Sequence, residues 1–230
     1  MTASATALTD TREMLIVHSL FRRELRLAGS LVRGVQPGDT RSAQVAGDHL
    51  ALVEHVLHHH HTTEDELLWP LLTERVADEL HPVVGLMESQ HTRVDRLLEE
   101  IAQARPVWAA APTRAAGEAL ADRYDELYAG LVEHLDAEET RVLPLVSRCI
   151  TPAEWARLSK AGQDSVPRKH RTLVVGMLLH DSGPEGEALL FGSAPAPVRA
   201  IVPRLGRRAY RQHALRVYGS LPPVTSTDLS

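Results

Sequence analysis

The chain has 230 residues, a formal net charge of −5 and a single cysteine, Cys149. One cysteine excludes an internal disulfide, and the N-terminus lacks the basic and apolar segments of a signal peptide, so we expect a cytoplasmic protein. We expect neither a nucleic-acid partner, because the charge is mildly negative, nor a membrane span, because no stretch reaches about 20 apolar residues.

Apolar residues recur at steps of three and four along the first 150 residues, which predicts amphipathic helices. Breaks are expected at Gly34–Asp39, at His81-Pro82 and over Arg105–Thr113. The four helices would then cover about 10–33, 40–76, 82–104 and 114–149. Helices of this length with short connections pack as an up-down-up-down four-helix bundle, an all-α fold. Pro70 and Pro144 should end or kink the second and fourth helices, since an interior proline costs roughly 3 kcal/mol.

The remaining sequence predicts a helical C-terminal extension at 150–230, after a bundle at 10–149. Thr151-Pro152-Ala153-Glu154 has the residues of a capping box with proline at the first helical position, so a short helix should begin there. Residues 171–180 predict another helix, and the last ten residues a loose tail. Six arginines and no acidic residue lie between Val198 and Arg216. They could meet a phosphate or an acidic protein partner, although pairing with the acidic bundle surface is the simpler interpretation.

One pattern occurs twice in the predicted bundle: a histidine, a glutamate four residues later and a proline six residues after that. The two copies are offset by 74 residues, and a single histidine precedes each copy. Such internal periodicity indicates duplicated pairs of helices. The members are His18, His60, Glu64 and Pro70 in the first copy and His91, His134, Glu138 and Pro144 in the second.

The repeated residue types suit metal binding. Histidine and glutamate four residues apart share one helix face. Imidazole binds iron, zinc, copper and nickel, and carboxylates readily bridge two ions. Four imidazoles and two carboxylates in a core would be costly without a cation, whereas one lone histidine or His-Glu pair would be an ordinary structural feature. The whole set therefore predicts a layer of ligands for two transition-metal ions joined by an oxide or hydroxide bridge.

At these residues the chain resembles the hemerythrin-like family, also called the HHE cation-binding domain. The resemblance spans about 10–148 and is strongest at His60–Leu71 and His134–Leu145, which share the core H-x3-E-[DE]-x4-P. It implies a non-haem di-iron centre in a four-helix bundle, with two oxo- or hydroxo-bridged iron ions and a small diatomic or peroxide ligand. The implied iron ligands are His18, His60, Glu64, His91, His134 and Glu138.

The sequence departs from the family pattern after His91. Oxygen-carrying members have a second histidine four residues later, where this chain has Asp95. Asp95 is interpreted as a solvated or ion-paired residue, with ligation or orientation of His91 as alternatives. We therefore expect a more symmetric site, suited to turnover of peroxide or nitric oxide, or to sensing of iron or oxygen, rather than to reversible oxygen carriage. A metal-free structural module is the third possibility.

Two alternative ligand assignments can be weighed. Leu52-Val53-Glu54-His55 repeats at residues 131–134, which would make His55 the counterpart of His134. His55 lacks a carboxylate four residues on, so His60 is preferred, and one histidine of the run 58–61 is expected to point inward. A ferritin-like site needs Glu-x-x-His on two helices and is matched only once, at Glu88-His91.

Overall fold

A computed structural model describes residues 8–225 and 227–229, without the side chains of residues 77–82. All regular elements in these residues are helices. The predicted all-α class is therefore confirmed. None of the described helices is long and apolar enough to cross a membrane. The helices are α1 (Arg12–Gly34), α2 (Thr40–Thr63), α3 (Trp69–Ala110), α4 (Arg114–Ala137), α5 (Leu143–Cys149), α6 (Pro152–Ser165), α7 (Arg171–Asp181), α8 (Gly183–Phe191) and α9 (Ala196–Tyr218).

Helices α1 to α4 pack around the main apolar core. The helical period predicts one inner stripe for α1, and all of its residues are buried: Met14, His18, Phe21, Leu25, Ala28 and Val32. His18, near the start of α1, lies beside Glu138, which follows α4. Arg33, near the end of α1, pairs with Glu118 near the start of α4. The two helices therefore touch near both of their ends.

Two π-helical turns follow α2 and α4, at Glu64–Leu68 and Glu138–Val142. Their cause is the proline that comes shortly after each turn, because a proline has no N–H for the carbonyl four residues earlier and its ring clashes with that carbonyl. The backbone widens instead, and the N–H groups of the residues just before the prolines bond to the carbonyls of Glu64 and Glu138. The prolines therefore interrupt the α-helical hydrogen-bond pattern through a π-helical turn. They insert one residue into the turn.

The third helix differs from its predicted bounds at both ends. The backbone leaves helical geometry at Val76 (φ −138°, ψ 36°), where the second helix was predicted to end. It is helical again at the predicted His81-Pro82 turn, whose side chains lie outside the described residues. At the other end the helix continues to Ala110, so most of the predicted linker is helical. Arg105 pairs with Glu54, and Trp108 is 2% exposed. This burial outweighs the helix-breaking effect of Pro106.

The helices after residue 150 pack on the bundle through α1 and α2. The capping box predicted at Thr151 and Glu154 is present, with both of its hydrogen bonds. Helices α7 and α9 cross closely where Gly176 faces Gly206. The arginine-rich segment forms α9, a helix that the sequence analysis did not predict, and its Arg207 pairs with a glutamate of α8.

A buried polar network joins the extension to α1. The guanidinium of Arg23 donates to Glu24, to Asp181 and to the carbonyl of Met177. Glu24 also accepts hydrogen bonds from the phenol groups of Tyr210 and Tyr218. Arg23 and Glu24 are almost wholly buried, so these partners replace the water that each charge loses.

Candidate metal centre

Seven buried or nearly buried side chains converge at one level of the bundle and form two groups of possible metal ligands. In each group, one ring nitrogen or carboxylate oxygen from every residue lies within 4.8 Å of those of the other members. All six residues predicted from the repeat are present, and His61 joins them. The first group contains His61, Glu64, His91 and His134, and the second contains His18, His60, Glu64 and Glu138.

Each glutamate faces one imidazole on its own helix and one on another helix. Glu64 Oε1 lies 3.1 Å from His60 Nε2, and its Oε2 lies 3.8 Å from His91 Nε2. Glu138 Oε2 lies 3.3 Å from His18 Nε2 and 3.9 Å from His134 Nε2. Both glutamates open a π-turn, so the duplicated motif places the same chemical group at the same structural position twice.

The nitrogen and oxygen atoms that could bind a metal here have no hydrogen-bond partners among the described residues. Unpaired buried atoms include Nε2 of all five histidines and both carboxylate oxygens of Glu64 and Glu138. A buried polar atom without a partner costs free energy, so a native core rarely leaves many together. Two cations held between these atoms would satisfy the set. The residues present therefore fit the metal that their types predicted.

Acidic residues directly after the two glutamates orient histidines from other helices. Asp65 Oδ1 lies 3.0 Å from His91 Nδ1, and Glu139 Oε1 lies 2.7 Å from His18 Nδ1. Arg22 donates to the same oxygen of Glu139. A carboxylate on Nδ1 fixes the ring and leaves the Nε2 lone pair for a metal. This explains why both copies of the motif have an acidic residue after the glutamate.

His61 is the site residue that the sequence analysis missed. Only one histidine of the run 58–61 was expected to point inward, but His60 turns toward His18 while His61 stacks on His91. Consecutive helical residues are about 100° apart, and the end of α2 lies between both neighbouring helices, so both rings reach the core. The available signal was the absence of a second histidine after His91, because His61 stands in the same group as His91 from another helix. The two candidate groups therefore contain five imidazoles, one more than the repeat predicted.

The rejected alternatives lie outside the two groups. Asp95 is 47% exposed and lies 4.0 Å from His58, in keeping with its interpretation as a solvated or ion-paired residue. His55 Nε2 instead lies 3.1 Å from the carbonyl oxygen of Ser165. Glu88 is exposed, so no ferritin-like pair forms with His91.

Burial and mutual repulsion keep most of the imidazoles neutral. Burial, with His18 as a positive neighbour, lowers the pKa of His60 to about 3, and burial lowers that of His134 to about 4. Burial lowers the pKa of His18 as well, but Glu138 and Glu139 outweigh it, and the pKa rises. Burial and the charge of Glu138 raise the pKa of Glu64. Neutral rings have a free lone pair, which is the form that binds metal.

The family model described as "Hemerythrin HHE cation binding domain" matches residues 9–146, and the chain belongs to this family. The match contains all seven residues of the two groups and ends before α6. Comparisons with curated proteins and with solved structures gave no match.

Proposed function

We propose that the protein binds two iron ions in an up-down-up-down four-helix bundle and uses them to bind or convert dioxygen, peroxide or nitric oxide. The observation that carries this proposal is that seven side chains have nitrogen or oxygen atoms that could bind a metal and that no described residue pairs by a hydrogen bond. Glu64 belongs to both groups, which suits a carboxylate that bridges two ions. The family's cation binding supports the same conclusion.

Bound iron would supply an open coordination position and electrons for a small ligand. The protein's own side chains hold the positions and restrict water. His18 and His134 have no exposed side-chain surface, and Glu138 has 1%. His60, at 11%, is the most exposed of the seven side chains. A small ligand would therefore approach on the His60 side.

The two versions of this function, enzyme and sensor, differ in turnover. The enzyme version is catalase-like peroxide disproportionation or nitric oxide turnover. In the sensor version, occupancy of the site alters the extension. The contacts of α6 with α2 and with the first π-turn support such a connection, because the glutamate of that turn is a proposed ligand.

The proposal is tested by loading the metal-free protein with ferrous iron without oxygen and measuring metal content after air exposure. We expect two irons per chain and ultraviolet bands of an oxo-bridged pair, with the same result for the control His55→Ala. Less than one iron per chain, or equal retention of iron in Glu64→Ala, would refute it.

Oxygen evolution from added peroxide then separates the enzyme version from the sensor version, since rapid evolution supports the enzyme. Slow evolution, together with altered protease cleavage after residue 150 on loading, supports the sensor.

A further inference from the structure

A cavity of about 320 Å³ lies between the bundle and the C-terminal extension. Helices α1 and α2 supply one side of it, and α6, α7 and α8 supply the other. Five of the apolar side chains in its wall are Leu20, Val56, Val174, Leu178 and Phe191. A cavity of about 150 Å³ with similar walls is enough to hold benzene, so this cavity has room for a larger organic molecule.

The cavity reaches the proposed metal site. His60 and Glu64 both contribute to its wall. They belong to the second group of possible metal ligands, and the side chain of His60 is 11% exposed. A molecule in the cavity would therefore lie beside two proposed iron ligands.

The polar groups of the wall favour a neutral molecule. The carboxylate of Glu13 accepts from Ser159, and Arg171 is occupied by Asp164 and the carbonyl of Val166. Acidic residues outnumber this arginine among the described residues of the wall, so the wall itself does not favour an anionic ligand.

One residue of the wall carries a hydrogen-bond donor that the described residues leave unpaired. This donor is the indole N–H of Trp155, which is buried and has no hydrogen-bond partner within the part of the chain that the structure describes. A buried donor of this kind is costly to leave unpaired. A single acceptor oxygen on a ligand, such as a hydroxyl or carbonyl oxygen, would satisfy it.

We propose that this cavity is a binding site for a neutral, largely apolar organic molecule with one acceptor oxygen, placed next to His60 and Glu64. Its role beside the iron site rests on the proposed function. Binding in the cavity does not depend on that function, because much of the cavity wall comes from helices beyond the family match at residues 9–146.

The test is calorimetric titration of the iron-loaded protein with straight-chain alcohols from hexanol to dodecanol. We expect one saturable site per chain and binding about fourfold tighter for each added methylene, since burying one contributes about 0.8 kcal/mol. The gain should stop once the chain outgrows the cavity. Trp155→Phe should weaken binding by about two- to tenfold, because a neutral hydrogen bond contributes about 0.5–1.5 kcal/mol. The absence of saturable binding would overturn the proposal.

Variants that fill the cavity locate the site. Leu178→Trp should abolish alcohol binding, whereas Leu205→Trp, the same change at an exposed position of α9, should leave it unchanged. Val56→Phe fills the cavity from the opposite side and serves if Leu178→Trp fails to fold. Unchanged binding in a folded, cavity-filled variant would overturn the proposal. Iron content is measured in parallel: alcohol binding without stoichiometric iron would support the cavity while refuting the proposed function.

Discussion

Single residues decide how many imidazoles the site contains. His58 and His61 stand in the same run of four histidines, yet His58 is exposed while His61 is 1% exposed and stacks on His91. Positions 58 and 61 are only about 60° apart around the helix, so the difference comes from their surroundings. His61 lies almost one turn further along α2, against His91, which a count of histidines does not show.

We expect His61→Ala to reduce bound iron from two ions to about one per chain, because the first group loses one of its three imidazoles. His58→Ala is the matched control and should keep both ions. Metal analysis after gel filtration measures the difference. If both variants bind equal amounts of iron, His61 is not a ligand.

Asp65 acts on the site through another side chain. We expect Asp65→Asn to weaken metal affinity by about 10–100-fold, because the His91 ring loses the carboxylate that orients it. Asp95→Asn, four residues after His91 but facing solvent, should change affinity little. Competition with a chelator gives both constants. Equal affinities for the two variants would contradict the role of Asp65.

At the level of helices, the π-turns move residues relative to their expected faces. The spacing of apolar residues predicts that Leu67 lies on the inner face of the second helix, together with Val53, Val56, His60 and Glu64, but Leu67 is 39% exposed. The widened turn between Glu64 and Leu68 shifts the register by one residue, so the period that works before the turn fails within it.

The crossing of α7 and α9 depends on two glycines. A methyl group on Gly176 would come within 2.6 Å of the carbonyl carbon of Gly206. We expect Gly176→Ala to lower the free energy of unfolding by at least about 1–3 kcal/mol, because both helix backbones would have to separate. Chemical denaturation measures this.

The matched control for that change is Gly85→Ala. A methyl group there meets nothing within 4 Å, and residue 85 is helical. We expect Gly85→Ala to raise stability by about 0.5–1 kcal/mol, since alanine favours helix over glycine. Similar changes in the two variants would show that the close crossing does not limit stability.

At the scale of the whole molecule, buried polar contacts link the extension to the bundle. His213 of α9 has its Nε2 3.0 Å from Nδ1 of His49 in α2, and His49 Nε2 lies 2.7 Å from the hydroxyl of Tyr218. Burial, with His49 as a neighbour, lowers the pKa of His213 to about 4 from 6.5.

This lower pKa determines whether stability rises or falls with pH. Between about pH 4 and pH 6.5 the unfolded chain carries a proton on His213 that the folded chain does not, so stability rises with pH. The slope from one such group is at most about 1.4 kcal/mol per pH unit. We expect His213→Phe to have a shallower slope than the unaltered protein, measured by denaturation at several pH values. Identical slopes would exclude this contribution.

The sequence predicted those features that repeat or follow the helical period. The inner stripe of α1, the capping box at Thr151 and the convergence of the six predicted ligands needed only spacing. His61 could not be found in this way, because its role depends on how α2 lies between two neighbours. The end of α3 depended on the burial of Trp108, and the network around Glu24 joins residues almost 200 positions apart. Such contacts leave no local pattern.

The two π-turns also bear on how the protein moves. Their wider loops lack the regular hydrogen-bond ladder of an α-helix, so opening of the backbone should be easiest at Glu64–Leu68 and Glu138–Val142. Both begin at a proposed iron ligand. Amide hydrogens of these two segments should therefore exchange faster in the metal-free chain than those of the flanking helices, and slow down selectively when iron is added. Uniform protection in both states would mean that occupancy of the centre does not control local order.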